Sequence, residues 1–174
     1  EFRRVLFRSA STKDVDACAK AKTFDLKIAA CTRLLDDRRI TGRARALIYL
    51  QRGNARYDKR DLRLALDDAE DAGLIDSELS EVWFLRGLIH KDQGKLIAAR
   101  GDFNHAISIN PKNYSAFNNR GLVWAESNEH DKAIADYSES IRLNPRDGRV
   151  FSNRGNSYAK KRDFERALKD HDEA

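Results

Sequence analysis

The stretch from Asn113 to Pro145, "NYSAFNNRGLVWAESNEHDKAIADYSESIRLNP", decides how this chain is read. Its first part carries Phe117, Gly121, Val123 and Trp124 at helical spacing. The segment "NEHD" at 128–131 interrupts that pattern. It resumes in "KAIADYSESIRL", where Ala133, Ile134, Tyr137 and Ile141 fall on one helical stripe. Asn144-Pro145 closes it, because the residue before a proline avoids the helical region and proline has no N–H to donate. The stretch predicts helix, short turn, helix.

Its Arg120-Gly121 pair recurs as Arg52-Gly53, Arg86-Gly87 and Arg154-Gly155, always 34 residues apart. Other columns keep the same phase. Four residues before each Gly is an aromatic: Tyr49, Trp83, Phe117, Phe151. Twelve after it is Ala65, Ala99, Ala133 or Ala167, and fifteen after it is Asp68, Asp102, Asp136 or Asp170. A fixed period carrying small and large apolar residues at fixed offsets marks a repeat array. One two-helix hairpin cannot bury both its faces, so the copies must stack.

Composition agrees with a well-solvated all-α chain. Of 174 residues, 41% are hydrophobic and 35% charged, while two prolines and nine glycines are too few for a β-sandwich or a disordered chain. No apolar run approaches the ~18 residues a membrane helix needs. The net charge of +5 is spread among interleaved acids and bases, the pattern of a solvated face rather than of a nucleic-acid platform. The opening "EFRRVLFRS" contains Val5-Leu6-Phe7-Arg8-Ser9, which GTG CTC TTC CGA TCT, the end of a common sequencing-library adapter, encodes. Residues 1–9 are therefore read as a non-native segment and set aside. With no methionine anywhere and a last copy that stops inside its second helix, the sequence reads as a fragment. It is silent about a signal peptide.

The units resemble tetratricopeptide repeats. That motif sets an aromatic, Leu-Gly and Tyr on the first helix, and Ala, Phe, Ala and Pro on the second. Trp83, Gly87, Ala99, Phe103, Ala106 and Pro111 fill this frame in one copy; Phe117, Gly121, Trp124, Ala133, Tyr137 and Pro145 fill it in the next. The resemblance implies a right-handed α-solenoid of stacked antiparallel helix hairpins. Its units would be a degenerate amino-terminal hairpin at 10–45, repeats at 46–79, 80–113 and 114–147, and a truncated repeat at 148–174. In the first hairpin Lys27 stands where the alanine belongs, and four extra residues precede the next unit.

The Arg-Gly pairs find a structural reason in this frame. Antiparallel helices pair residues equidistant from their turn, which sets Arg52 against Asp68, Arg86 against Asp102, Arg120 against Asp136 and Arg154 against Asp170. The glycine and the facing alanine remove bulk where the helices approach most closely, and a packing reason of this kind offsets the ~1 kcal/mol that a helical glycine costs. Arginine stands where the family has leucine, so its stem should pack while its guanidinium reaches the carboxylate.

Catalytic and metal chemistry find no support. His90, His105, His130 and His171 fall at four different repeat positions, and an aspartate repeated four times is no acid–base pair, since an active site needs one unusual place. No enzyme activity, cofactor, metal or small-molecule substrate is expected. Cys18 and Cys31 flank the turn near Thr23-Phe24 and are open to two readings. A disulfide would suit a periplasmic or secreted protein; two buried thiols would suit the cytoplasm. Register counts against the bond, because Cys31 lies farther from that turn than Cys18.

The resemblance implies a concave groove lined by first helices that binds a protein or an extended peptide. Carried onto this chain, the groove takes Leu50 and Asn54 from the first full repeat, and Phe84, Leu88 and Lys91 from the second. Asn118, Asn119 and Leu122 come from the third; Arg149, Ser152, Asn153 and Asn156 come from the last. Asparagines suit an extended backbone because each side chain donates and accepts. One subclass clamps a carboxylate-terminated chaperone tail, but no frame here completes that clamp. Asn54 fits, whereas Leu50 takes a basic place; Asn119, Arg149 and Asn153 fit one unit later, whereas Phe84 and Leu88 do not. Two alternatives stand beside the interaction module: an accessory domain of a larger enzyme or regulatory protein, and an RNA-binding helical repeat. The second would need a groove stripe of Arg and Lys, and only Lys91, Arg149 and Lys160 are present.

Overall fold

The computed structural model describes residues 11–174. The adapter reading of residues 1–9 lies outside the described residues. Among the described residues ten helices follow one another: α1 (Thr12–Lys20), α2 (Phe24–Asp36), α3 (Gly42–Asp58), α4 (Leu62–Ile75), α5 (Ser80–Asp92), α6 (Leu96–Ile109), α7 (Tyr114–Glu126), α8 (His130–Leu143), α9 (Gly148–Lys160) and α10 (Phe164–Asp172). No strand occurs among the described residues. The fold is all-α, a solenoid type built of antiparallel hairpins at a 34-residue period. Among the described residues no helix is long and apolar enough to cross a membrane.

A left-handed residue turns the chain at the end of four first helices: Arg60 (φ 68°), Gly94 (71°), Asn128 (61°) and Arg162 (65°). Each sits 34 residues after the last. The next amide closes the turn on a carbonyl five residues back, from Asp61 to Arg56 (2.9 Å), Lys95 to His90 (2.8 Å), Glu129 to Trp124 (2.9 Å) and Asp163 to Tyr158 (2.9 Å). This is the bonding of a Schellman cap, which satisfies carbonyls that a helix end leaves open. Second helices stop differently, in the extended residues Asp76, Asn110 and Asn144. The Asp76 and Asn110 side chains accept the amides of Glu78 and Lys112 at 3.1 Å, forming Asx turns into the next unit.

The chain divides into two compact units, Glu1–Ile89 and His90–Ala174. In the first, α1 and α2 form one hairpin, α3 and α4 another, and α2 packs on α3. Val15, Cys18, Cys31, Leu34 and Ile48 share one buried cluster; Ala46, Leu50, Ala65, Ala69, Leu85 and Ile89 share another. In the second unit α6 packs on α7, the hairpins α7–α8 and α9–α10 stack through α8 and α9, and Ala133, Tyr137 and Val150 make a buried cluster. The repeated alanines lie at the closest approach: Ala65, Ala99 and Ala133 are fully buried and Ala167 nearly so.

Two local features differ from the sequence reading. The four extra residues form one more helical turn, making α3 17 residues long against 13 for α5, α7 and α9. A boundary at residue 46 thus falls inside α3 rather than in a turn. Cys18 and Cys31 are bonded, with Cα atoms 4.8 Å apart. The linker explains why register does not forbid this. Ala21 and Thr23 are extended, so α2 starts displaced from the end of α1, at ~3.3 Å of advance per residue rather than the ~1.5 Å of a helix.

Candidate functional site

In the hairpins α3–α4, α7–α8 and α9–α10 the Arg and Asp columns meet as forked ion pairs. Arg120 donates from Nε to Asp136 Oδ2 (2.8 Å) and from Nη2 to Oδ1 (2.6 Å). Arg154 holds Asp170 by the same two atoms, both at 2.8 Å. Arg52 Nη2 lies 2.7 Å from Asp68 Oδ1, and Arg56 Nη1 lies 2.8 Å from the other oxygen. In the remaining copy Asp102 Oδ2 lies 2.7 Å from His90 Nδ1, and Arg86 stacks over Trp83 with Cζ 4.4 Å from the ring centroid. Arg86 and Asp102 fall in different units of the chain.

Each forked arginine has one nitrogen outside the fork, Nη1, and it reaches the preceding hairpin. Arg52 Nη1 donates to Thr32 Oγ1 (3.1 Å), Arg120 Nη1 to Asn104 Oδ1 (2.7 Å) and Arg154 Nη1 to Ser138 Oγ (3.0 Å). One guanidinium thus ties three helices. The glycine beside it is required by the same packing. A Cβ on Gly121 would stand 2.6 Å from the Tyr137 ring; one on Gly155 would stand 3.1 Å from the Ala167 carbonyl oxygen and 3.2 Å from Asp170 Cβ.

Burial and charge act oppositely on the acids. Burial raises the Asp68 carboxyl above the usual range, although Arg52 and Arg56 pull it down. Exposed Asp37, bonded by the Arg39 side chain and amide, is held down to about 2.

The groove positions do not all behave as one surface. Leu50 is a correction: at 4% exposure it belongs to the core of the first unit, packed with Ala46 and Leu85. Asn54, Phe84 and Leu88 are half-buried on α3 and α5. Lys91 Nζ lies 3.9 Å from Asp92 Oδ1. Arg149 folds back on Asp147 at 2.8 Å, and Asn119 donates to Ser115 O of its own helix at 2.9 Å. Ser152 is half-buried on α9.

The others converge in the second unit. Asn153 Nδ2 donates to Asn118 Oδ1 across neighbouring first helices (3.1 Å). Beside them a cleft of about 220 Å³ is lined by Leu122, Ala125, His130, Tyr137, Asn153, Asn156, Ser157 and Lys160. His130, Tyr137 and Lys160 were not among the expected groove residues. A signal for two of them exists in the repeat columns. His130 replaces the apolar Leu62, Leu96 and Phe164 of the other copies, and Lys160 replaces Asp58, Asp92 and Glu126.

Residues 114–147 match a family model described as tetratricopeptide repeat, and residues 80–113 match a second model of that description. These two units are tetratricopeptide repeats. No curated protein matches the chain. Among solved structures, a crystal structure of MamA is 22% identical with a TM-score of 0.81, covering 95% of this chain and 94% of that one. YrrB, a TPR protein with an unusual peptide-binding site, is 21% identical with a TM-score of 0.69, covering 86% of this chain and 75% of that one. The first TPR of Spaghetti (RPAP3), bound to the HSP90 peptide SRMEEVD, is 18% identical with a TM-score of 0.68, covering 71% of this chain and 98% of that one. At these identities the likeness is one of fold. The tetratricopeptide fold is a scaffold for protein–protein interaction.

Proposed function

We propose that the chain binds an extended peptide segment of a partner protein along the first helices of its second unit, without catalysis. The observation that carries this reading is the Asn153–Asn118 amide pair at the lip of the cleft. Linked amides keep a donor and an acceptor each for a peptide backbone, and hold their orientation before the ligand arrives. Leu122 beside them offers an apolar contact. Nucleic acid fits less well, because Arg149 is already engaged by Asp147 and no continuous basic stripe accompanies it. The Cys18–Cys31 bond supports an oxidising compartment, periplasmic or extracellular.

The test is selection of dodecapeptides from a random display library on the purified chain. Bound peptides should lose affinity when Asn118 and Asn153 are both changed to Ala, with helix content by circular dichroism unchanged. Selection of no peptide, or of peptides indifferent to those changes, rejects the reading.

A further inference from the structure

In a repeat protein a column that holds in three copies and breaks in the fourth marks the place where that copy does something the others do not. Two such breaks meet in one cleft of the second unit. His130 opens α8 where the other copies carry Leu62, Leu96 and Phe164; Lys160 ends α9 where they carry Asp58, Asp92 and Glu126. The first exchanges an apolar side chain for a polar one, and the second exchanges an acid for a base. Both line the same cleft, with Leu122, Ala125 and Tyr137 supplying its apolar part.

The donors around this cleft have no matching anion. Nδ1 of His130 is buried and has no hydrogen-bond partner. Lys160 is exposed, and neighbouring Lys161 is the one that pairs with Asp131. Asn153 keeps one amide hydrogen after bonding Asn118, and exposed Asn156 adds two more. No carboxylate lines the cleft. A buried polar atom left unpaired in a native fold calls for an explanation, and a ligand acceptor is one. At about 220 Å³ the cleft is smaller than the ~300–1,000 Å³ typical of small-molecule sites, so it accommodates one side chain rather than a free metabolite.

We propose that this cleft receives the carboxylate side chain of an Asp or Glu within the extended peptide partner, oriented by His130, Asn156 and Lys160. The proposal rests on the peptide-binding reading above and names the partner as an acidic segment. The carboxylate accepts from Lys160 Nζ and the amides, and its stem lies against Leu122 and Tyr137. Charge-assisted bonds of this kind carry more selectivity than neutral ones.

The repeat itself supplies the test variants. Lys160→Glu and His130→Leu restore what the other copies carry, so the double variant keeps the requirements of the fold. One display-selected peptide is synthesised with both ends capped, in a Glu (or Asp) form and the matching Gln (or Asn) form, and titrated calorimetrically. Selected sequences are expected to share an acidic residue, and the amide form to bind the wild-type chain about tenfold more weakly. The double variant should lose this preference or reverse it, because the carboxylate introduced by Lys160→Glu repels the acid and not the amide. The proposal is overturned if selected peptides share no acid, or if the acid-to-amide loss persists undiminished in the double variant. In the first case, peptides that still depend on Asn118 and Asn153 leave the peptide-binding reading intact; if no peptide binds at all, both fall.

Discussion

At the scale of single residues, the same Asp–Arg chemistry has different consequences according to burial. Asp136 and Arg120 have side chains 9% and 20% exposed and are bonded at both forks. Asp136→Ala strands a guanidinium in that setting and should cost ~1–3 kcal/mol. Arg120→Leu together with Asp136→Leu should be close to neutral, because apolar packing can replace a buried ion pair. Arg120→Leu alone should fall between them. A double-mutant cycle in urea measures the coupling, and a value near zero would show that the fork does not stabilise the hairpin. Titration separates the buried acid from the exposed one. Asp37, lowered to about 2 by Arg39, contributes stability above the ordinary aspartate value of ~3.9 that is lost as pH falls toward 2. Asp68 has the opposite sign: its raised folded value favours the native state at low pH, and that contribution fades as pH rises through it. Carboxyl-carbon NMR should place the Asp37 midpoint below, and the Asp68 midpoint above, that of a model aspartate. Arg39→Ala should return Asp37 to the ordinary range.

At the scale of elements, the hairpin turn is built by conformation more than by side-chain identity. The left-handed place holds Gly94 and Asn128 in two copies but arginine in the other two. For a residue with a Cβ this conformation costs roughly 1–2 kcal/mol, and glycine escapes that cost while losing ~0.5–1 kcal/mol of chain entropy. Arg162→Gly should therefore stabilise the fold by a few tenths to about 1 kcal/mol, read as a rise in the urea midpoint. Gly94→Ala should lower it by a similar amount. Equal effects of alanine and glycine at 162 would mean that the cap does not limit stability.

At the scale of the whole molecule, stability in a stacked array is a sum over hairpins and the contacts between neighbours. The amino-terminal hairpin has the shortest of the described first helices, α1 with nine residues, and the Cys18–Cys31 bond ties it to α2. Closing a loop of this length removes about 3 kcal/mol of unfolded-state entropy. Reduction, or Cys18→Ser with Cys31→Ser, should collapse hydrogen-exchange protection in α1 and α2 first, while α7–α10 keep theirs. Uniform loss of protection along the chain would show that the bond stabilises the array globally rather than its first hairpin.

What the sequence determined by itself was everything periodic. A 34-residue column pattern fixes helix, turn and helix, because the apolar stripe and the small Gly and Ala positions have only one way to be buried together, and the Arg and Asp columns follow from counting outward from the turn. Tertiary structure alone decided what depends on distance between units of the pattern. The Nη1 of Arg120 reaching Asn104 joins different hairpins, and no count within one hairpin finds it. The Cys18–Cys31 contact depended on two extended linker residues whose advance the helical register does not include. Leu50 looked like a groove residue by its column, but its rotation on α3 turns it into the core. The cleft needed both kinds of information. His130 and Lys160 are visible in the sequence as broken columns, yet they lie on different helices, and only the packing of α8 against α9 brings them to one place.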